Sequence, residues 1–251
     1  MATSNTAAAP MLDIRDRIIV ALDVDSRDAA NEIVRQLHGK VGAFKVGLQL
    51  FAAAGPGFVR ELTSAGNKVF LDLKFHDIPN TVAKASIEAA RMGVWMFNIH
   101  ASGGSEMMRT VIKDLDSACD AEGISRPLVI GVTVLTSSNK ESMNETGVAG
   151  EVEDQVVKLA LLSAGCGLDG VVASPLEVEA IRRAIPDRDF VTVTPGIRAK
   201  SATPDDQKRV TTVSRALAAG SDYVVIGRPV TQAADMAAAV EMFVTETEKD
   251  R

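Results

Sequence analysis

Short apolar, β-branched runs alternate with longer amphipathic runs along the whole chain. Apolar residues three and four positions apart in the longer runs predict helices, and the short runs predict buried strands. Eight strands are predicted, at residues 17–23, 43–47, 68–73, 94–100, 127–135, 168–174, 190–196 and 222–227. Several helical runs stop at a glycine, and this residue favours the left-handed conformation that closes a helix. The predicted helix ends lie at Gly66, Gly93, Gly167 and Gly220.

Eight strands that alternate with helices over 251 residues are typical of a single-domain (β/α)8 TIM barrel. A doubly wound open sheet is the alternative, but no GxGxxG follows the first strand. Polar residues also recur at the carboxyl ends of the strands, which converge on one mouth only in a barrel. They are Asp23, Lys45, Asp72, Lys74, His100, Thr136, Ser174 and Arg228. We therefore predict an α/β barrel domain at 15–251, preceded by a flexible lead-in at 1–14.

The formal net charge of −6 argues against nucleic acid or an anionic membrane as the main partner. The N-terminus lacks the pattern of a secretory signal, and no apolar run approaches the ~20 residues that cross a bilayer. Cys119 and Cys166 have no metal-like spacing and are expected to be buried thiols. The sequence therefore predicts a cytoplasmic protein.

The segment DLKFHDIPNTV, residues 72–82, brings charges of both signs to the end of a buried strand. Asp72 and Lys74 are two positions apart and should share one face of the strand. Asp23 and Lys45 end neighbouring strands at the same rim. Such a cluster either stabilises the barrel as an ion-pair network or acts on a ligand. Because buried ion pairs often stabilise no better than apolar side chains, we favour the second interpretation.

The charges of this cluster indicate a reaction type. A lysine flanked by carboxylates stays protonated, so it is a proton donor rather than a Schiff-base nucleophile. The carboxylates would repel an anionic group of the substrate until that group leaves. Loss of CO2, followed by protonation of the same carbon, fits this arrangement.

A phosphate site is predicted where the last strand meets a helix. Gly227 and Arg228 lie at this junction, and Pro195, Gly196 and Arg198 precede them in the chain. Barrels commonly bind phosphate after their last two strands, through backbone N–H groups at a helix N-terminus. An acidic protein with such a basic pocket is expected to act on a small phosphorylated metabolite.

Two further features are less specific. The polar loop at 195–208 is predicted to be a lid. His100 is a candidate base or metal ligand, but the absence of HExxH and CxxC patterns does not favour a histidine metal centre. Binding of a Mg²⁺ ion by Asp or Glu carboxylates remains an alternative.

DLKFHDIPNTV resembles the signature of the orotidine 5′-monophosphate decarboxylase family. Further segments match in order along the chain: VALDV, FKVGLQLF, NIHASGG, GVTVLTS, VTPGIR, DDQKR and DYVVIGRPVTQA. The resemblance is to the bacterial, monofunctional type. It implies conversion of orotidine 5′-monophosphate (OMP) to UMP and CO2 in pyrimidine biosynthesis, without a cofactor or a metal. It also implies a homodimer with shared active sites.

The resemblance implies catalytic roles for four residues. Lys74 would deliver a proton to C6 of the pyrimidine, and Asp72 would lie against the substrate carboxylate. Lys45 would belong to the charged network and also contact the ribose. Asp77 would reach into the active site of the neighbouring subunit.

The remaining implied residues bind the substrate. Ile78 and Thr81 would accompany Asp77 into the partner's site, and Asp23 would contact the ribose. Thr136 would meet the pyrimidine edge, and Pro195 would line the pocket. The residues expected at the phosphate are Arg198, Gln207, Gly227 and Arg228.

Two alternatives remain. Magnesium-dependent keto-gulonate phosphate decarboxylases and hexulose phosphate synthases share a DxKxxD element, but the IPNT, TPGIR and DDQ segments favour the pyrimidine enzyme. A non-catalytic barrel that binds a phosphorylated ligand would be expected to lack a member of the cluster. All four members are present.

Overall fold

The computed structural model describes residues 13–187, 189–198 and 211–250. Eight parallel strands close into a barrel in the order β1 to β8, as predicted. They are β1 Ile18–Ala21, β2 Ala43–Gly47, β3 Val69–Phe75, β4 Met96–His100, β5 Leu128–Val132, β6 Gly170–Val172, β7 Val191–Thr194 and β8 Tyr223–Ile226.

Helices follow the strands and surround the barrel. The described helices are α1 Arg27–Leu37, α2 Leu48–Ser64, α3 Pro79–Arg91, α4 Gly104–Glu122, α5 Lys140–Glu145, α6 Val152–Gly165, α7 Val178–Ala184, α8 Val213–Ala219, α9 Arg228–Thr231 and α10 Met236–Lys249. Short 3-10 helices lie at Arg15–Arg17 and Ala101–Gly103. The four glycines predicted to end helices all have positive φ, from 74° to 109°.

Alternation along the strands divides the core into two layers. Ile18 and Val20 of β1 pack between the strands and the helices, whereas Ile19 and Ala21 point into the barrel. Because both faces of a parallel strand are buried, these strands read as continuous apolar runs. The inner layer is small and apolar, and it forms a floor beneath the barrel mouth.

Some predicted strands extend too far. β5 ends at Val132 rather than at residue 135, and β1 ends at Ala21, two residues before Asp23. The chain leaves the hydrogen-bond ladder at the rim of the barrel. Val134 is nevertheless partly buried against the outer layer, so apolar character continues beyond the paired segment.

The structure bears on three expectations from the termini and the composition. The proposed lead-in lies outside the described residues up to position 12, and Ile14 is buried in the outer core layer. Cys119 and Cys166 are buried, unpaired thiols, as expected. Among the described helices, none combines the length and apolarity needed to cross a membrane.

Candidate active site

Polar residues follow the apolar inner layer on three neighbouring strands. Lys45, Asp72 and Asn98 each lie two positions beyond an inner-layer residue, namely Ala43, Phe70 and Met96. Residues two apart on a strand point to the same side. The strand pattern therefore places a charged and amide layer directly above the apolar floor, at the carboxyl ends of β2, β3 and β4.

A cavity of about 550 Å³ opens at this mouth, a size typical of sites for small molecules. Nine of the predicted site residues line it: Asp23, Lys45, Asp72, Lys74, Thr136, Pro195, Arg198, Gly227 and Arg228. Its walls also include apolar side chains such as Val132 and Val225. The charged groups therefore face a partly apolar space, where electrostatic interactions are stronger than in water.

The four charged groups form a chain of ion pairs. Lys45 Nζ lies 3.0 Å from Asp23 Oδ1 and 3.2 Å from Asp72 Oδ2. Lys74 Nζ lies 2.6 Å from Asp72 Oδ1. Lys45 and Asp72 are almost enclosed, whereas the Lys74 side chain is 28% exposed and reaches the cavity. One carboxylate thus lies between two ammonium groups, and one of these groups can meet a ligand.

Burial and charge act in opposite directions on the enclosed pair. Burial raises the pKa of Asp72, but Lys45, Lys74 and a hydrogen bond from Asn98 outweigh it, so the pKa lies below its ordinary value. Burial lowers the pKa of Lys45, but the Asp72 and Asp23 carboxylates outweigh it and leave this pKa raised. Asp72 is therefore an anion and Lys45 a cation at neutral pH.

Other predicted residues do not line the cavity of this chain. Asp77, Ile78 and Thr81 follow β3 on the exposed surface, and the Asp77 carboxylate accepts a hydrogen bond from the Ile78 N–H. Gln207 lies outside the described residues, as does the predicted lid beyond position 198. Ser174 is fully buried, and its hydroxyl accepts a hydrogen bond from the Leu176 N–H.

His100 lies beside a second histidine that is distant in sequence. The rings of His76 and His100 are 5.4 Å apart. Burial, followed by the charges of His76 and Lys74, lowers the pKa of His100. Within the described part of the chain, no three His, Cys, Asp or Glu side chains form a group that could hold a metal ion.

Asn98 and Gln232 belong to the site but were not among the residues predicted from the sequence. Asn98 donates to Asp72 and is 1% exposed, and Gln232 lines the cavity from the segment after α9. A polar amide within the apolar run VWMFNIH was a signal for Asn98, because buried polar groups require partners. Gln232 had no comparable signal in the hydrophobic pattern, since it follows a short helix and is exposed, although it belongs to the matching segment DYVVIGRPVTQA.

A closed barrel with a charged cluster and a cavity at the carboxyl ends of its strands has the architecture of a barrel enzyme. The orotidine 5′-phosphate decarboxylase / HUMPS family matches residues 16–243. An orotidine 5′-phosphate decarboxylase from Syntrophotalea carbinolica is 52% identical over 94% of this chain and 96% of its own length. One from Syntrophomonas wolfei is 49% identical over 95% of this chain and 100% of its own length.

Solved structures agree with these relatives. The crystal structure of orotidine 5′-phosphate decarboxylase from Lactobacillus acidophilus has a TM-score of 0.80 and 39% identity, covering 92% of this chain and 98% of its own. The chain belongs to the orotidine 5′-phosphate decarboxylase / HUMPS family.

Proposed function

We propose that this chain decarboxylates OMP to UMP and CO2, with Lys74 as the proton donor. The observation that carries the proposal is the Asp72 carboxylate held between Lys45 and Lys74 in the lining of the cavity. The names of the relatives support the same reaction. The chemistry proposed for these residues requires neither a cofactor nor a metal ion.

The reaction replaces one bond at C6 of the pyrimidine. The C–C bond breaks, CO2 leaves, and the electron pair of that bond stays at C6. This pair then takes a proton from the Lys74 ammonium group, which becomes a neutral amine and regains a proton from solvent. Asp72 keeps its negative charge throughout. Its position would disfavour the substrate carboxylate and favour the state in which that charge has left.

The substrate would lie across the mouth, with its ends bound by different strands. Asp23 and Lys45 would contact the ribose, Thr136 would meet the pyrimidine edge, and Pro195 would line the pocket. Their common position in the wall of one cavity supports this assignment.

The phosphate would bind at the last strands of the barrel. Arg228 and Gly227 lie where β8 meets α9, and Arg198 follows β7. All three line the cavity, and their positive charge and backbone N–H groups suit a phosphate. Gln207 completes the proposed phosphate contacts.

The reaction is tested directly with purified protein in EDTA. Conversion of OMP to UMP, followed as a change in pyrimidine absorbance, is the expected result. No turnover of OMP, together with turnover of a keto-sugar phosphate in Mg²⁺, would move the assignment to the sugar-phosphate members of the family. Ligand binding without any turnover would instead support a non-catalytic barrel.

The proton donor is tested by Lys74→Ala, with Lys68→Ala as the matched control. Lys68 directly precedes β3 at the end opposite the mouth, and its ammonium lies 5.7 Å from the Trp95 ring centroid. We expect Lys74→Ala to lower kcat at least about 100-fold, the usual minimum for loss of a general acid. The circular dichroism spectrum should be unchanged. Equal activity of both variants would remove Lys74 from the reaction.

We also propose a homodimer in which each subunit completes the other's active site. Asp77, Ile78 and Thr81 are exposed at the end of β3 and the start of α3, outside the cavity of their own chain. Ile78 is 67% exposed, and Leu48, the first residue of α2, is 61% exposed. A second copy would bury such apolar side chains and receive Asp77.

Mixing of two inactive variants tests this arrangement. In a hybrid of Lys74→Ala and Asp77→Ala subunits, one site carries both defects and the other carries neither. Hybrids form half of a random mixture, so about one quarter of wild-type activity should return after dissociation and reassociation. Recovery of no activity would contradict the shared site.

A cytoplasmic location is proposed as well, supported by the unpaired thiols of Cys119 and Cys166.

A further inference from the structure

Strand β3 is irregular where it carries the charged residues. Leu71 pairs with Phe97 of β4, but the next pair joins Phe75 to Ile99. Three residues of β3, at 72–74, therefore lie opposite a single residue of β4, which is Asn98. Such a bulge interrupts the ladder and leaves backbone groups without their usual partners.

The Asn98 side chain fills this interruption. Its Oδ1 accepts a hydrogen bond of 2.8 Å from the backbone N–H of Lys74, and its Nδ2 donates one of 2.7 Å to Asp72 Oδ1. The orientation of the amide follows from chemistry, because a backbone N–H only donates and an ionised carboxylate only accepts. One buried amide thus joins the proposed proton donor to the carboxylate beside it.

The backbone of Lys74 shows why this contact matters. Its φ is 52°, and among the described residues it is the one non-glycine residue with positive φ. L-amino acids with long side chains rarely adopt this conformation, which persists only where the surroundings stabilise it. The hydrogen bond from Lys74 N–H to Asn98 supplies such stabilisation.

We propose that Asn98 is a positioning residue for proton transfer. It holds the backbone of Lys74 within the bulge and fixes the Asp72 carboxylate, so that the ammonium group points into the cavity. The assignment rests on the proposed decarboxylation. Asn98 would not contact the substrate phosphate or ribose, since the residues proposed there lie on other strands.

Two variants test the role of Asn98 on OMP turnover. Asn98→Ala removes both hydrogen bonds and should lower kcat roughly 100-fold, as expected when a reacting group is misplaced by about 1 Å. KM should change by less than about threefold, because ground-state contacts remain. Thr192→Val is the control, since Thr192 is a buried, hydrogen-bonded residue of β7 away from the cavity. It should lower Tm and leave kcat unchanged.

Asn98→Asp supplies a readout that a structural role alone would not move. The introduced carboxyl has nearly the shape of the amide, but when ionised it repels Asp72 and has no proton to donate. Below its pKa, a proton taken up between the two carboxyls restores the hydrogen bond to Asp72. The ratio of variant to wild-type kcat should therefore rise as pH falls. Other ionisable groups around this position are Lys45 on β2, Lys74 on β3, His100 on β4 and His76 beyond β3, whereas the β5 partner is Ile130.

The outcomes separate the two proposals. A wild-type protein that does not turn over OMP would overturn the decarboxylation and the role of Asn98 with it. If the wild type turns over OMP, and kcat and KM of Asn98→Ala lie within about threefold of the wild-type values, the positioning role alone is overturned. If Asn98→Ala does not fold, a flat kcat ratio for Asn98→Asp between about pH 8 and about pH 5.5 would overturn that role instead.

Discussion

Replacement of Lys45 by methionine would remove the ammonium group that joins the two carboxylates of the cluster. Lys45 Nζ lies 3.0 Å from Asp23 and 3.2 Å from Asp72, and the side chain is only 10% exposed. Methionine is flexible and similar in length, so the variant loses charge with little loss of packing. The enclosed Asp72 carboxylate would then face Lys74 as its remaining ammonium partner in the cluster.

Removal of one partner of a buried ion pair typically costs about 3–5 kcal/mol, because the other charge stays buried without compensation. Asp72 keeps its contacts with Lys74 at 2.6 Å and Asn98 at 2.7 Å. We therefore expect the lower end of that range, about 3 kcal/mol at neutral pH. For a domain of this size the corresponding fall in Tm is about 6–12 °C.

The stability difference should depend on pH with a defined sign. The wild-type pKa of Asp72 lies below the ordinary 3.8, so its contribution to stability is present above that value and is lost as pH falls through the folded-state pKa. Without Lys45, one of the two ammonium groups that oppose the effect of burial is gone, so the pKa of Asp72 is higher than in the wild type. The variant's carboxyl then protonates at a pH where the wild type is still ionised. The stability difference should narrow as pH is lowered from neutral towards the ordinary 3.8.

Urea unfolding at several pH values, at one protein concentration, measures this difference. Lys140→Met is the matched control, because Lys140 pairs with Glu151 on the surface and both side chains are more than half exposed. The free energy of unfolding of that variant should fall by no more than about 1 kcal/mol. An equally small fall for Lys45→Met, without pH dependence, would refute the conclusion that the charges of the cluster are enclosed and stabilise one another.

Three further predictions concern separate parts of the molecule. Arg228→Ala should raise KM for OMP through loss of a phosphate contact, and unchanged steady-state kinetics would exclude that arginine. Gly47→Ala should lower kcat, because an added Cβ would lie 3.2 Å from Lys45 Nζ and 3.4 Å from Asp23 Oδ1. Calorimetry should show that the free energy of unfolding falls by about 1 kcal/mol or less, and a wild-type kcat would contradict this crowding. Asp222→Asn should lower the free energy of unfolding, measured with urea, by about 3 kcal/mol and leave kcat unchanged. The reason is that the Asp222 carboxylate accepts hydrogen bonds from Arg182 and from the Thr192 N–H at the bottom of the barrel. Unchanged stability would contradict this role.

The barrel was predictable because its signals repeat along the chain. Each strand is short, apolar and followed by an amphipathic helix, so an error at one boundary does not change the count. The boundaries themselves were less predictable, as at β5, where Val134 is apolar but lies beyond the ladder. Hydrophobicity records burial, whereas the end of a strand is set by pairing with its neighbours.

The positions of Asp72 and Lys74 were predicted from regular alternation, although β3 is not regular. Between the two pairs that flank the bulge, β3 advances four residues and β4 advances two. The excess is an even number, so Asp72 and Lys74 still face the cavity while Leu71 and Phe75 pack in the outer layer. An excess of one residue would have reversed every side chain that follows. The bulge itself had no signal, because LDLKF contains no glycine.

The same bulge explains how one short segment separates into two groups of functional candidates. Lys74 turns into the cavity in the left-handed conformation, and Phe75 packs outward against Phe97, with ring centroids 6.0 Å apart. The chain then leaves the barrel, and Pro79 begins α3, so Asp77 lies on an exposed turn. Because β3 ends at Phe75, Asp77 lies two residues beyond the ladder. The turn between β3 and α3 presents Asp77 at the surface, where a second subunit is proposed to receive it.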